Sequence, residues 1–521
     1  MSNNLPINVK DYGAACDGVT DDSTPLLNAN AAATHNKAPL LIPGTMKIGT
    51  ATTITAFLVD TLAQLFTTSS IVTISNGQPL RPEWWGADPT NTNDSLAAWT
   101  ACTTSPQCVT ILMSGVYSFS NTLTITNAKG LIIKGGGASL IDRQALSYNK
   151  FSLNFNNIPS GASGLVINGF RGLALQDFFV SHMTIGTAGG TAIYVNSGDD
   201  FEISNIKVES STGVFGKGIV LGGGTDETCA FMGNIKNCKI YTAGGPAFES
   251  NSRNTSLTFQ SCYQIGGSFN FVGTIYSSVI SCASEYATLY GYTINKCGNM
   301  SFIGCGGEAN GRGVFYMQSS SYNLVFTNPM GASNNSSGTT GIGDLFQIDS
   351  SVGVNQSISI INPTSLYPHA NTTYNIAATT GTLYVDVNGV SASQLPRSIG
   401  GDSTWKLNYL TFTGYGENIG FTPVLNANWT FVGSPTISGT YVKKGGLITF
   451  SINISGTTSV SANVGAQITL PWQESTAPYA AIIMDGYNNN CGFATVNGKT
   501  IYVPAIAANS YGLILSGQVT I

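Results

Sequence analysis

The sequence predicts an all-β chain in which a parallel β-helix is followed by an antiparallel β-sandwich. Charged residues make up only 9% of the 521 residues and glycine accounts for 61 of them, which favours strands joined by tight turns over surface helices. Short apolar segments recur through the middle of the chain, and strict apolar–polar alternation follows near its C-terminus. We therefore predict a solenoid of stacked strands with a second β-domain after it.

The solenoid prediction depends on a repeat that becomes visible from about residue 170. Each copy is a short apolar strand with a small or amide residue at one position; the copies are 203–206, 235–238, 259–262, 279–282, 302–305, 325–328 and 360–362. Their last residues are separated by 32, 24, 20, 23, 23 and 34 residues. A period in the low twenties with loop insertions is typical of a β-helix, whereas helical solenoids need longer amphipathic segments and leucine-rich repeats need leucine ladders.

The ten cysteines fit this repeat better than they fit a metal site or a disulfide framework. No Cys-x-x-Cys pair is present, and the three histidines are scattered, so we expect no metal and no cofactor. Cys238, Cys262, Cys282 and Cys305 occupy one repeat position, and we expect them to stack inside the helix as free thiols. A bridge between Cys102 and Cys108 is a minor alternative.

A short motif near the N-terminus predicts a cap that is used twice. Asp11-Tyr-Gly-Ala is followed by acidic turn residues, a helical patch at 25–33 and an apolar strand at 38–42. A degenerate copy follows, with Gly86 placed 73 residues after Gly13 and Gly115 placed 71 residues after Gly44. The acidic run lacks the alternate-position oxygens and distal Glu of an EF-hand, so we interpret it as turn and helix-cap residues.

The pattern changes near residue 400. Ile448, Phe450, Ile452 and Ile454 alternate with polar residues, and Gly-Gly, Asp-Gly and Asn-Gly pairs mark hairpins at 445–446, 485–486 and 497–498. We therefore predict a cap or head region at 1–80, the β-helix at 81–400, and a β-sandwich at 401–521 that serves trimerisation or glycan binding.

Charge and hydropathy exclude several partners. The net charge is −5 and the pI about 5.2, with no basic stripe, so neither nucleic acid nor an anionic membrane surface is an expected partner. The N-terminus lacks the charged start and apolar run of a signal peptide, and no segment has the length and apolarity of a membrane span. We expect synthesis in a cytoplasm and no membrane insertion.

Three motifs and the C-terminal region carry a family resemblance that together covers most of the chain. The Asp-Tyr-Gly-Ala cap motif resembles the N-terminal signature of pectate-lyase-like, single-stranded right-handed β-helices, and Pro-Glu-Trp-Trp-Gly-Ala at 82–87 resembles the opening of bacteriophage tailspikes of that superfamily. The segment 304–315 resembles a coil of such polysaccharide depolymerases, and the region from 439–445 to 470–472 resembles terminal β-domains of phage tail proteins.

The resemblance implies a right-handed β-helix, a homotrimer, and a place in a virion tail. It also implies a bacterial surface polysaccharide as partner. Some tailspikes carry a large anchoring head domain at the N-terminus, so either such a domain has been removed from this chain or the short N-terminus docks on another tail protein. A protein made in the host cytoplasm and acting outside the cell after lysis reconciles the missing signal peptide with the polar, weakly charged surface.

The repeat also predicts a candidate catalytic pair. If the ladder cysteines face inward, strand alternation points the residues three positions further on outward, which gives Glu209, Tyr241, Glu285 and Glu308. Glu285 and Glu308 then lie on adjacent coils about 4.8 Å apart, where repulsion keeps a proton on one of them near neutral pH. A protonated acid beside a carboxylate is what glycosidic hydrolysis requires, although both could be ordinary solvated ladder residues.

Other residues are weaker candidates. Asp226 and Glu227 lie in the insertion of the 32-residue interval, and Glu249 and Arg253 follow on the next coil, where loop or turn roles are at least as plausible. The aromatic and cationic candidates for sugar contact are Tyr241, Tyr263, Tyr286 and Arg312. Arg312 could bind an acidic sugar or neutralise Glu308, and the tyrosines could equally be buried or lie between subunits.

The sequence is compatible with three functions. The first is an endo-acting glycoside hydrolase on capsule or O-antigen chains. The second is a polysaccharide lyase, which would leave an unsaturated product that absorbs ultraviolet light. The third is an adhesin that binds glycan without shortening it.

Overall fold

A computed structural model of the chain describes most of its residues. The described residues are 5–104, 110–135, 151–155, 158–159, 161–182, 189–209, 215–222, 229–242, 245–251, 253–318, 321–334, 345–348, 356–366, 374–376, 383–388, 407–413, 419–421, 423–427, 429–432, 436–444, 447–455, 459–462, 466–470, 479–485, 490–497, 500–503, 505–509 and 513–520. The chain divides into two compact units, of which the first comprises Met1–Ile358, Thr364–Thr382 and Pro396–Lys406.

Two copies of one small unit open the chain, as the repeated motif predicts. The first copy and the strands after it are β1 (Ile7–Asn8), a 3₁₀ helix (Val9–Tyr12), β2 (Asp17–Asp21), α1 (Ser23–Asn36), β3 (Leu40–Leu41), β4 (Thr45–Lys47), β5 (Thr52–Ile54) and β6 (Val72–Ile74). The second copy consists of a 3₁₀ helix (Pro82–Trp85), β7 (Thr90–Asp94), α2 (Leu96–Thr103), β8 (Thr110–Leu112) and β9 (Val116–Phe119). β2 pairs with β4 as β7 pairs with β9, so the two copies share one topology.

Residues of the repeated cap motif form and stabilise turns. Gly13 and Gly86 each end a 3₁₀ helix at φ +89°, a conformation that favours glycine. The buried carboxylate of Asp22 accepts the backbone N–H groups of Ala15 and Cys16 at 2.8 and 3.0 Å, and the Ser95 hydroxyl accepts the N–H of Asp88 at 3.0 Å. These contacts support the turn interpretation of the acidic run. Asp22 and Ser95 occupy the N-cap positions of α1 and α2 but form no side-chain cap hydrogen bond there.

The middle of the chain is a parallel β-helix, as predicted. Its strands are β10 (Leu123–Lys129), β11 (Ile132–Lys134), β12 (Ser152–Phe155), β13 (Leu165–Gln176), β14 (Phe179–His182), β15 (Gly189–Ser204), β16 (Lys207–Val208), β17 (Phe215–Leu221), β18 (Ala230–Lys236), β19 (Lys239–Tyr241), β20 (Pro246–Ser250), β21 (Thr255–Gln260), β22 (Tyr263–Ile265), β23 (Ser268–Val272), β24 (Ile275–Ile280), β25 (Ala283–Glu285), β26 (Tyr292–Asn295), β27 (Gly298–Ile303), β28 (Gly306–Glu308), β29 (Phe315–Gln318), β30 (Tyr322–Thr327), β31 (Met330–Ala332), β32 (Phe346–Ile348), β33 (Gln356–Ile361), β34 (Thr364–Leu366) and β35 (Tyr374–Ile376).

These strands form two parallel sheets. The smaller sheet, here called the ladder sheet, runs through β14, β16, β19, β22, β25, β28 and β31, each paired with the next. The larger sheet holds the longer strands, such as β13, β15, β21, β24 and β27. Every coil therefore contributes one short strand to the ladder sheet.

A single left-handed residue turns the chain from the larger sheet into the ladder sheet. These residues are Asn205, Asn237, Ser261, Ser281, Gly304 and Asn328, with φ between +50° and +60°. They are the small and amide residues that mark the sequence repeat. Asn328 corrects the predicted alignment by one residue: Thr327 pairs with Ile303, so Asn328 is level with Gly304 at the corner and not with Cys305 in the inward column. Asn and Gly are favoured here because a left-handed backbone disfavours most larger side chains.

The inside of the helix consists of stacked columns of like residues. Cys238, Cys262, Cys282 and Cys305 are buried free thiols that follow the corner residues, which confirms the predicted inward column. A second column stacks Phe248, Phe269, Tyr292, Phe315 and Phe346, with successive ring centroids 4.7, 4.8, 4.8 and 5.0 Å apart. Stacked aromatic pairs each contribute about 0.5–1.5 kcal/mol beyond the burial of their surface.

The second compact unit comprises Ser359–Pro363, Leu383–Leu395 and Leu407–Ile521. Its further strands are β36 (Leu383–Asn388), β37 (Leu407–Thr413), β38 (Ile419–Phe421), β39 (Val424–Leu425), β40 (Trp429–Val432), β41 (Thr436–Lys444), β42 (Leu447–Ser455), β43 (Ser459–Ala462), β44 (Ala466–Thr469), β45 (Tyr479–Asp485), β46 (Asn490–Asn497), β47 (Thr500–Val503), β48 (Ile506–Asn509) and β49 (Leu513–Thr520).

From β38 onward the pairing in this unit is antiparallel, in two sheets. Phe450, Ile452 and Ile454 of β42 share one hydrophobic cluster with Trp429 of β40 and Ala462 of β43, which belong to the other sheet. The alternation seen in the sequence thus places one face of β42 in a core. The domain limits at residues 80 and 400 stay predictions.

No helix in the described part of the chain has the length and apolarity of a membrane span.

The buried thiols predict a clear labelling pattern. In the native protein, dithionitrobenzoate should react with Cys16, which is partly exposed, but should reach Cys102, Cys229, Cys297 and the four column thiols only after denaturation. Burial also raises the pKa of Cys262 and Cys282, which keeps them as unreactive thiols. Counting the released thionitrobenzoate checks this, with Cys16→Ser as the control that lowers the native count by one. Rapid native reaction of Cys262 or Cys282, identified by mass spectrometry, would show that the column faces outward.

Candidate functional site

Glu285 and Glu308 are direct neighbours on adjacent coils of the ladder sheet. β25 pairs with β28 so that Glu285 faces Glu308, and β22 pairs with β25 so that Ile265 faces Glu285. Tyr241 faces Ile265 in the next pair, which is the register that the cysteine offset predicts. Glu285 is partly buried and Glu308 is exposed, so both carboxylates belong to the outer surface.

A network of buried, hydrogen-bonded polar side chains lies inside the helix next to the carboxylate pair. Ser284, which alternates with Glu285, is fully buried and is hydrogen-bonded to Gln264 and Asn310. The Asn310 side chain accepts the backbone N–H of Ala287 at 2.9 Å, just after Glu285. Gly307 is needed here because a Cβ at this position would lie 2.6 Å from the Asn310 amide. The turn that follows each glutamate is therefore fixed by side chains from neighbouring coils.

Tyr263 lies beside the pair. Burial, and then a side-chain hydrogen bond to Glu285, raise the pKa of Tyr263, and the charges of Glu285 and Glu308 act in the same direction. The tyrosine therefore stays protonated throughout the neutral range and can donate its O–H to the Glu285 carboxylate.

Two lysines and their aromatic neighbours occupy the coils before the pair. Lys207 faces Lys239, and Lys239 faces Tyr263, in one outward column of the ladder sheet. The Lys239 ammonium lies 5.2 Å from the ring centroid of Tyr241 and 5.3 Å from that of Tyr263. The Lys207 ammonium lies 5.6 Å from the Phe179 centroid and forms an ion pair with Glu209. The sequence analysis missed both lysines, although each directly follows a repeat residue, Ile206 or Cys238.

The turn after the pair carries the remaining aromatic candidates. Tyr286 is 64% exposed and adopts φ +54° directly after Glu285. The Arg312 guanidinium lies 5.9 Å from the centroid of Tyr290, whose ring stacks on Tyr316 at 4.4 Å. Within the described residues, Arg312 forms no ion pair with Glu308.

Two other predicted residues lie elsewhere on the helix. Glu249 is buried in the larger sheet, where it pairs with Lys217 at 2.8 Å and accepts a hydrogen bond from Asn270 at 3.3 Å. Arg253 is exposed in the turn after β20, with φ +70°. Neither side chain lies in the ladder sheet with Glu285, and Asp226 and Glu227 fall outside the described residues.

The outer face of the ladder sheet brings together groups for acid–base chemistry. Among the described residues, no three His, Cys, Asp or Glu side chains are grouped closely enough to hold a metal ion. The surface instead combines two carboxylates, a neutral tyrosine and a lysine between aromatic rings, which are groups suited to protonating, hydrogen-bonding and packing against a sugar chain.

Comparison with solved structures identifies a similar fold in a phage tailspike domain. The enzymatically active domain of bacteriophage CBA120 tailspike protein 2 matches with a TM-score of 0.50 and 15% identity over 85% of this chain and 70% of that chain. Full-length tailspike protein 2 from an Escherichia coli O157:H7 bacteriophage matches with a TM-score of 0.48 and 15% sequence identity. The match covers 85% of this chain and 63% of that protein. The Dettilon tailspike matches with a TM-score of 0.41 and 13% sequence identity, over 85% of this chain and 94% of that chain. No family model and no curated protein matches the sequence.

The pKa of Tyr263 predicts a pH-dependent stability. A tyrosine whose pKa is higher in the folded than in the unfolded chain adds stability below its unfolded value, and that contribution is lost as the pH rises towards the folded value. Above pH 10, the ordinary pKa of tyrosine, the unfolding temperature of the wild type should fall more steeply than that of Tyr263→Phe. Differential scanning fluorimetry at one scan rate measures this, with the exposed Tyr286→Phe as control. Parallel curves for wild type and Tyr263→Phe would exclude the proposed environment of Tyr263.

Proposed function

We propose that this chain, which has the β-helix fold of phage tailspikes, binds a bacterial surface polysaccharide and cleaves it as an endo-acting glycoside hydrolase. The polysaccharide is a capsule or an O-antigen. The observation that carries the proposal is the direct pairing of Glu285 with Glu308 on the exposed ladder sheet. The similar fold of a tailspike domain described as enzymatically active supports it, and the buried network below the pair holds the carboxylates in place.

The pair can perform the two proton-dependent steps of glycosidic cleavage. One carboxyl group, still protonated, donates its proton to the leaving oxygen, while the other, ionised, acts as nucleophile or activates water. Adjacent strands lie about 4.8 Å apart, which places both groups within reach of one glycosidic bond. Tyr263, whose side chain interacts with Glu285, acts as a positioning residue for that carboxylate.

The aromatic residues around the pair supply the sugar contacts. Tyr241 precedes the glutamates in the same outward column, and Tyr286 follows Glu285 with most of its ring exposed. A glycan that runs along the helix axis crosses one coil every 4.8 Å or so, and exposed rings can pack against the apolar faces of its sugars. Arg312, whose guanidinium lies near the ring of Tyr290, borders the same path. Glu249 and Asp226 remain alternative catalytic carboxylates, and Arg253 an alternative binding residue, if the ladder pair is inactive.

Glu285→Gln and Glu308→Gln should each lower the cleavage rate about 10²- to 10⁴-fold, because the amide keeps the volume but loses the titrating proton. Both variants should fold and bind glycan like the wild type, since a surface substitution of this kind costs little stability. Incubation with a panel of purified capsular and O-antigen polysaccharides, with product size and reducing ends measured, provides the test.

Glu202→Gln, on the larger sheet, is the matched control and should retain full activity. Near wild-type cleavage by both ladder variants would move the catalytic site away from Glu285 and Glu308. Products that absorb ultraviolet light would instead establish a lyase, and binding without shortening of any polysaccharide would establish an adhesin.

We also propose that the protein is a homotrimer in a virion tail, made in the host cytoplasm and attached through its N-terminal region to another tail protein. Met232, Tyr276 and Ile303 are exposed apolar residues on β18, β24 and β27 of the larger sheet, which supports a subunit contact there. Light scattering on the purified protein should give three times the chain mass of 54.4 kDa. A monomer mass that persists at high concentration contradicts the trimer, and Tyr276→Glu should weaken a trimer if this face forms its interface.

A further inference from the structure

We propose that Lys239 forms a binding site for the acidic group of a sugar, so that the substrate is an anionic polysaccharide that carries a carboxylate. This inference rests on the proposed function and specifies its substrate class. The fold holds the Lys239 ammonium at the surface between the rings of Tyr241 and Tyr263.

The charge of Lys239 is not matched by a neighbouring acid. Lys207, its partner on the preceding coil, forms an ion pair with Glu209, whereas Lys239 forms none with any carboxylate of the described residues. The two flanking rings offer their faces to the cation, which restricts the lysine stem and directs the ammonium. An ordered cation without an acidic partner is a suitable binding group for an external anion.

The chemistry around Lys239 favours a carboxylate on a sugar. Among the described residues, the hydroxyl of Tyr241 forms no hydrogen bond, and the ring that carries it has its centroid 5.2 Å from the ammonium, so the hydroxyl is a second donor near the cation. A carboxylate accepts two such donors, and charge-assisted hydrogen bonds of this kind are roughly twice as strong as neutral ones. The neighbouring rings provide the apolar contact that a sugar ring needs.

The position of Lys239 relative to Glu285 defines which sugar is recognised. In the register of the ladder sheet, Lys239 lies one coil before Tyr263 and two coils before the Glu285 strand. Two coils correspond to roughly 10 Å along the axis. The acidic group therefore belongs to a sugar outside the pair joined by the cleaved bond, and its binding should affect substrate affinity more than the chemical step.

The test uses a polysaccharide that the wild type shortens and the same polymer after its carboxylates have been reduced to alcohols. Reduction should raise KM about ten- to hundredfold and leave kcat nearly unchanged, because an interaction present in both ground and transition states affects only KM. Lys239→Met should raise KM on the native polymer by a similar factor and should cause little further loss on the reduced polymer. Lys239→Arg, which keeps the charge, should recover part of the affinity.

The exposed Lys296→Met removes one positive charge outside the ladder sheet and serves as the matched control, with no expected change in KM. Equal KM values for native and reduced polymer, or an unchanged KM for Lys239→Met, would overturn the anionic-sugar site while leaving the hydrolase proposal intact. If the wild type shortens no polysaccharide of the panel, the proposed function fails and this inference fails with it. The two failures are thus distinguished by the wild-type reaction alone.

Discussion

The in-register stacking of parallel coils is the constraint on which the rest of this structure depends. Each strand hydrogen-bonds to the same position of the next coil, so a residue is placed about 4.8 Å from its counterpart whatever its chemistry. Inside the helix this favours columns of like residues, because identical flat rings or small thiols repeat at the spacing of the backbone. Outside the helix the same constraint brings Glu285 against Glu308, a contact that two like charges would not form by themselves.

A solenoid needs closed ends, and the duplicated N-terminal unit provides one. Trp99 of α2 packs on Tyr117 at 5.2 Å and on Phe119 at 6.1 Å, and Phe119 stacks on Phe155 at 5.0 Å. The cap thus continues directly into the aromatic interior of the following coil. Covering the first open coil removes apolar surface from water and protects strand edges that would otherwise pair with other chains.

The candidate site combines buried residues that are held by hydrogen bonds with outward residues that differ from coil to coil. Ser284, Gln264 and Asn310 are buried and hydrogen-bonded to one another, so the backbone that carries Glu285 and the following turn has little freedom. The outward positions can change residue type without disturbing these buried hydrogen bonds. Adjacent coils accordingly present lysine, tyrosine and glutamate in neighbouring positions, which is how one regular scaffold supports different glycan chemistries.

The sequence by itself determined the β-helix, the inward thiol column and the pairing of Glu285 with Glu308, because all three follow from one periodic offset and the alternation of a strand. It also predicted the repeated cap, since Gly13 and Gly86 carry a recognisable local motif. It could not place Glu249 in the larger sheet beside Lys217, because the length of the intervening loop hides which face a residue occupies. Nor could it show that the side chain of Tyr263 interacts with Glu285 or that Lys239 lies between two rings. Those contacts join residues from different coils, and only the stacking register and the reach of each side chain decide them.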